Sequence, residues 1–387
     1  MERKFAICVR VSLVLAVCLA SFLLLSPAAA RGQKEDVGAV FTMTNETGGN
    51  SVLMFSRSAR GVLTSRGSFA TGGLGTGGME PDFGLANAGA LALNNDNHLL
   101  FAVNPGSDDV SVFAIGKNGL TLIDRVACGG HMPISLTVNK DLLYVLNAGG
   151  SMLSPDNISG FTIGTNGTLS PIADSTRPLS GDVTGPAQIK FSPDGGILVV
   201  TERVANNIDT YTIGRDGRAT GLRVFPSDAV APFGMDFGLR NQLFIADNFN
   251  DAAGAGALSS YRVTKSGGLQ LVSSAVPNFE TGACWVAVGN DSRYAYVANT
   301  GANTISVYGI APQNGSVDFR AVYPSLYAPT DMDFSRDGQY LYALDPDQFA
   351  AGSPGITAYR VDHQDGSLVG IPGVSGLSVS VDGLIAY

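Results

Sequence analysis

The chain has 387 residues, 15% charged and 45% apolar, with 49 glycines and a formal charge of −9. Abundant Gly, sparse charge and short bursts of Val, Ile, Phe and Tyr fit a globular protein of many short strands joined by tight turns, large enough to bury a core without disulfide staples. An acidic chain with no cluster of Lys or Arg is poorly matched to phosphate backbones, which excludes nucleic acid as the main partner.

Arg3, Lys4 and Arg10 make a basic start, Val11 to Leu25 an apolar run, and Ala28-Ala29-Ala30 a small-residue cleavage site before Arg31. This layout predicts a secretory signal peptide over residues 1–30 and one domain over 31–387, secreted or periplasmic. The apolar run is short for a membrane span, and no second span follows it. Cleavage would remove three basic residues and one acidic residue, moving the charge from −9 to roughly −11. Cys8 and Cys18 would leave with the signal; Cys128 and Cys284 are too few for a disulfide framework.

The remainder is a repeat. An aromatic-bearing strand recurs around Phe55, Phe113, Phe161, Tyr211, Tyr261, Tyr308 and Tyr359, and a glycine turn follows each at Gly61, Gly119, Gly167, Gly217, Gly267, Gly315 and Gly366. The turns lie about 48 to 58 residues apart, the size of a four-stranded propeller blade. A second strand precedes each aromatic one and ends on a polar residue: Asn45, Asn104, Asn147, Glu202, Asp247, Asn299 and Asp345. Earlier still lies an inner strand, as in ISLTVNKD, IKFSPDG or MDFSRDG. The first unit lacks one, and GLSVSVDG (Gly376 to Gly383) reads as an inner strand with no unit after it. The expected fold is therefore all-β, a seven-bladed β-propeller of four-stranded blades, closed by the C-terminal strand completing the first blade. Closure removes an unpaired edge. A monomer is the default.

In a propeller, the loops leading into the inner strands and those joining second to third strands surround the channel mouth on one face. The polar column falls there, and so do Pro133, Pro186, Pro232 and Pro329, which fix rigid bends. Glu202, with Arg203 beside it, is the expected channel carboxylate, able to activate water or bind a cation; capping of strand backbone is the alternative. His131 can act as a general base or as a hydrogen-bonded loop residue. Asp247 and Asp345, with Asn104, Asn147 and Asn299, make a ring of oxygen donors that would suit Ca²⁺; Asn and Asp at strand ends are also turn formers. No other cofactor is expected. Trp285 is expected to line the channel or to join the core. Cys128 and Cys284 sit in blades nearly across the ring, which points to free thiols.

The stretch IKFSPDGGILVVTERVANNIDTYTIGRDG (Ile189 to Gly217) resembles the repeat of the lactonase family of seven-bladed propellers, which includes bacterial 6-phosphogluconolactonase of the propeller type and the fungal carboxymuconate-lactonizing enzyme. ISLTVNKDLLYVLNAGG and CWVAVGNDSRYAYVANTGANTISVYGI resemble secreted members, and the resemblance spans nearly the whole mature chain. It implies a lactone-hydrolysing site at the top of the channel, with Glu202 matching the family's carboxylate after the second strand of a central blade. At the start of that blade, GPAQIKF puts Gln188 where the family's Arg is sought, and His131 loosely matches a family histidine. Without that guanidinium, phosphogluconolactone is a poor fit. Two functions follow. In one, Glu202 and His131 promote water attack on an uncharged or weakly charged lactone, Gln188 or loop amides hold the oxyanion, and Arg203, Trp285, Asp247 and Asn299 bind substrate. In the other, a secreted propeller binds or scaffolds an unknown extracytoplasmic partner with the fold but without the chemistry.

Overall fold

The computed structural model describes residues 36–78, 89–117, 119–346 and 353–387, so the predicted signal segment lies outside the described residues. From Asp36 onward the chain is the expected all-β propeller, seven antiparallel blades arranged as a ring. Each blade runs from an innermost strand through second and third strands to an outer one. Blade 4 comprises Pro186–Phe191, Ile197–Glu202, Asn207–Ile213 and Ala219–Pro226. Blade 5 begins with Pro232–Phe237 and Gln242–Asp247, and blade 6 with Ala283–Val288 and Tyr294–Asn299. Second strands such as Ile197–Glu202 are buried along their whole length because neighbouring blades cover both faces, whereas the outer strand Ala219–Pro226 is largely exposed. Six of the predicted turn glycines, Gly61, Gly167, Gly217, Gly267, Gly315 and Gly366, have φ between +76° and +85°, a conformation that a Cβ disfavours. Among the described residues, no helix is long and apolar enough to cross a membrane.

The C-terminal strand closes the ring, but its position differs from the expected Gly376–Gly383. The pairing strand is Asp382–Ala386, which lies against Asp36–Met43 with Val40 opposite Ala386 and Met43 opposite Asp382. The alternating SVSV preceding it imitates a strand, but Ser378 and Ser380 bend it. Their hydroxyls lie 2.9 Å apart, the Ser380 N–H reaches Ser378 Oγ, and Ser380 Oγ donates to the Thr44 carbonyl at 2.7 Å.

Two devices hold the ring's inner and upper surfaces. Each innermost strand turns one edge toward the channel, where no further strand pairs with it. Side chains of the preceding blade supply acceptors instead. Gln188 Oε1 takes the Met235 N–H at 2.6 Å, Asp236 Oδ2 that of Val288 at 2.8 Å, and Asp331 and Asp333 those of Leu384 and Ala386 at 2.9 and 2.8 Å. Lys190 balances this acidic wall, 2.6 Å from Asp236. At the mouth, the residue before three of the inner-strand prolines, Met132, Ala231 or Ala328, has φ between +43° and +55°. Its N–H donates at 2.7 Å to Asp108, Asn206 or Asn303 in the second-to-third-strand loop of the preceding blade. These clasps fix the loops around the channel.

Candidate functional site at the channel mouth

The polar column is explained by the third strands beside it. In five blades the column residue faces a hydroxyl two positions before the repeated aromatic. Asn104 donates to Ser111, Asn299 to Ser306, and Asp247 and Asp345 accept from Ser259 and Thr357. Asn147 instead bonds Asn157, which Ser159 also contacts. Asn278 additionally donates to Asn299 at 2.8 Å, and Ser325 to Asp345 at 2.8 Å. The expected Ca²⁺ ring is thus divided among separate blades, where Asp247 Oδ1 and Asn147 Oδ1 are buried without a bond, and no metal-holding group of three or more His, Cys, Asp and Glu is found among the described residues. Asp247 and Asn299, the expected ligand-binding members of the column, are both fully buried. Burial raises Asp247 to about 7, partly opposed by the Ser259 hydroxyl.

Blade 4 departs from this pattern. Its hydroxyl position is Asp209, on the same face of the sheet as Glu202, and both residues are fully buried. Glu202 Oε1 accepts the Ser180 N–H at 2.9 Å and Oε2 accepts the Ser180 hydroxyl. Burial raises the Asp209 carboxyl far above the ordinary carboxylate range, and the adjacent Glu202 charge raises it further. This face packs toward blade 3. Tyr211, two residues along, donates to Pro178 O at 2.7 Å, and Thr201, of opposite parity, donates to Phe233 O in blade 5 at 2.6 Å. Glu202 therefore lies in the seam between blades 3 and 4, a correction to its reading as a channel carboxylate. Strand parity is the cause.

Arg203, the next residue, turns the other way. Its guanidinium carbon sits 5.4 Å from the centre of the Phe233 ring, half-buried, with no hydrogen-bond or ion-pair partner among the described residues. Burial lowers its pKa, while Cys284 and Asp251 act in the opposite direction, which places all three side chains in one neighbourhood. Phe233 meets Trp285 edge to face at 4.6 Å, and Trp285 is buried with its indole N–H unpaired. A Cβ on Gly234 would collide with the Trp285 ring, so glycine there makes room for the indole. Asn248 completes the wall. Its Nδ2 reaches Cys284 Sγ at 3.3 Å and Asp251 Oδ1 at 2.9 Å, and its Oδ1 accepts the Asp251 N–H at 2.9 Å. That network holds Phe249, Asn250 and Asp251 at φ of +53° to +58°, a left-handed turn costly for residues with a Cβ and the kind of strain that gathers at binding sites. Cys128 and Cys284 are free; burial pushes the Cys284 thiol to about 11 and that of Cys128 to about 12.

The remaining predicted site residues are placed apart from one another. His131 is exposed, with Nδ1 2.8 Å from Asp108 Oδ2, so it extends the clasp that holds Met132. Gln188 sits in the channel wall with its carbonyl spent on Met235. Glu202, His131 and Gln188 share no bonding partner. Arg203 and Trp285 do come together, through Phe233. Sequence reasoning passed over Phe233, Asn248 and Asp251, whose left-handed turn leaves no sequence signature. Asp209 had one, as the lone acid where the aligned repeats supply hydroxyls in DVSVF, NISGF, ALSSY, TISVY and GITAY.

Residues 44–178 and 268–373, more than half of the chain, match the family described as lactonase, 7-bladed beta-propeller. The unmatched interval contains Gln188, Glu202, Arg203, Asp209, Phe233, Asn248 and Asp251. Among solved structures, a periplasmic gluconolactonase of Pseudomonas aeruginosa is 15% identical, with a TM-score of 0.70 over 90% of this chain and 99% of that one. A candidate 6-phosphogluconolactonase of Bacteroides fragilis is 17% identical, with a TM-score of 0.68 over 91% and 98%. Similarity at this level describes the fold. A search of curated proteins gives no match.

Proposed function

Because the chain belongs to the lactonase family of seven-bladed β-propellers, we propose that it binds a lactone in the mouth pocket between blades 4 and 6 and hydrolyses it. The observation carrying this reading is the Arg203 guanidinium, half-buried on an aromatic wall and without a protein partner among the described residues. A half-buried cation in such a place suits a carbonyl oxygen that becomes an oxyanion, or the carboxylate of the product. Phe233 and Trp285, both buried, form the wall against which the Arg203 guanidinium is held toward the ligand. Asp251, held by Asn248 and exposed at the pocket's rim, would take a proton from the attacking water. The water oxygen bonds to the carbonyl carbon, the ring C–O bond breaks, and the released alkoxide takes the proton. Cys284, kept as a thiol by its raised pKa, does not compete as a nucleophile. Glu202 acts from behind, fixing the strand end from which Arg203 projects.

An unphosphorylated lactone fits this single guanidinium better than a phosphorylated one, which would call for further cations. The signal-like segment over residues 1–30 and the periplasmic relative support an extracytoplasmic location. The test is a panel of five- and six-membered sugar lactones, free and phosphorylated, assayed with wild type, Arg203→Ala and Arg203→Lys. Arg203→Ala should lower kcat about 100-fold on the preferred free lactone, with Lys recovering part of the loss. Hydrolysis indifferent to Arg203 would refute the assigned pocket. Arg203-dependent binding of a hydroxy acid without turnover of any lactone would identify a binding propeller.

A further inference from the structure

We propose that Glu202 and Asp209 form a one-proton carboxyl pair in the seam between blades 3 and 4, and that Asp209 is a positioning residue holding the strand end that carries Arg203. The inference rests on the proposed mouth site only for its consequence; the pair stands on geometry.

Four observations lead to it. Glu202 and Asp209 are fully buried on adjacent strands, on one face of the sheet. Among the described residues neither Asp209 oxygen receives a hydrogen bond, whereas both Glu202 oxygens accept from Ser180. Other blades fill the Asp209 position with a hydroxyl that bonds the column residue directly, as Ser111, Ser259, Ser306 and Thr357 do. The groups facing the pair are Tyr211 on the same strand and the Ser180 loop, with Arg177 beyond, its charge acting on the Tyr211 hydroxyl and its Nε bonded to the Ala219 carbonyl. Among the described residues no cation bonds either carboxyl. Two carboxylates so placed cannot both stay ionised, and a proton on Asp209 turns it into the donor that the hydroxyl supplies elsewhere.

The pair connects to the mouth through the backbone. Glu202 accepts from Ser180 and pairs with Asn207, whose Nδ2 donates to Ser180 Oγ at 3.1 Å. The next residue, Arg203, donates its N–H to Gly185 O at 2.9 Å, in the loop leading into blade 4. Loss of the proton would set like charges against each other at the root of the segment that aims the guanidinium.

The experiment compares wild type with Asp209→Asn, which can donate to Glu202 without a titrating proton, and Asp209→Ala, which cannot. Infrared difference spectra of the whole protein at neutral pH should show a protonated-carboxyl stretch that Asp209→Asn removes. A stretch unchanged by that substitution overturns the shared proton. Amide hydrogen exchange at Ser180 and Arg203 should rise about tenfold in Asp209→Ala and return toward wild type in Asp209→Asn. Equal exchange in all three proteins overturns the positioning role. Neither readout needs a substrate, so failure of the lactone panel leaves the pair decided. Where the panel does find turnover, Asp209→Ala should lower kcat more than it raises KM, with partial rescue by Asp209→Asn.

Discussion

Gly234 controls how closely Trp285 packs on Phe233 at the level of one atom. Gly234→Ala would press a methyl group against the Trp285 ring and the Cys284 carbonyl, moving the indole off Phe233. The expected cost is about 1–3 kcal/mol, read from urea unfolding, together with weaker retention of any lactone the wild type turns over. Cys284 permits a reagent test of the same wall. With its thiol pushed up to about 11 by burial, it should react slowly with iodoacetamide at pH 8 in the folded protein and rapidly once unfolded. At this scale the sequence was only half legible. It singled out Glu202 and Arg203 as neighbours, but successive residues of a strand face opposite ways, and a register shift between Pro186 and Gln188 hides which faces the channel. His131 read as a base because histidines can be; its partner Asp108 comes from the preceding blade, a contact invisible in local spacing.

The left-handed turn Phe249–Asp251 persists because Asn248 secures it from both sides. Asn248→Ala should cost about 1–2 kcal/mol and free the turn, seen as faster amide exchange at Asp251 and reduced lactone turnover. An unchanged exchange rate would show that the turn is held by something other than its side-chain lock. Elements whose signals are local were readable: the aromatic third strands and the glycine turns repeat because each hairpin needs the same backbone geometry. The closing strand was found but displaced by several residues, since alternation alone cannot tell SVSV in a serine-stabilised bend from a paired strand.

For the whole molecule, buried acids dominate the response to pH. Burial raises Asp331 to about 8, Asp247 to about 7, and Asp333 and Asp345 to about 6, each opposed by backbone or hydroxyl donors. In the unfolded chain these groups ionise near 3.9. The folded state therefore holds more protons between these limits, and stability must fall as pH rises from about 4 through about 8. Urea midpoints should be higher at pH 5 than at pH 8; the opposite slope would contradict the burial of these carboxyls. Asp209→Ser should make that slope shallower by removing a further raised carboxyl. Ring closure has a kinetic side as well. Met43 pairs with Asp382, so the first blade gains its innermost strand only when Asp382–Ala386 has been made. A chain made from its N-terminus must therefore close a loop of more than three hundred residues to finish its first sheet. Until that strand arrives, the first blade keeps an unpaired edge that any strand of the same pattern could occupy.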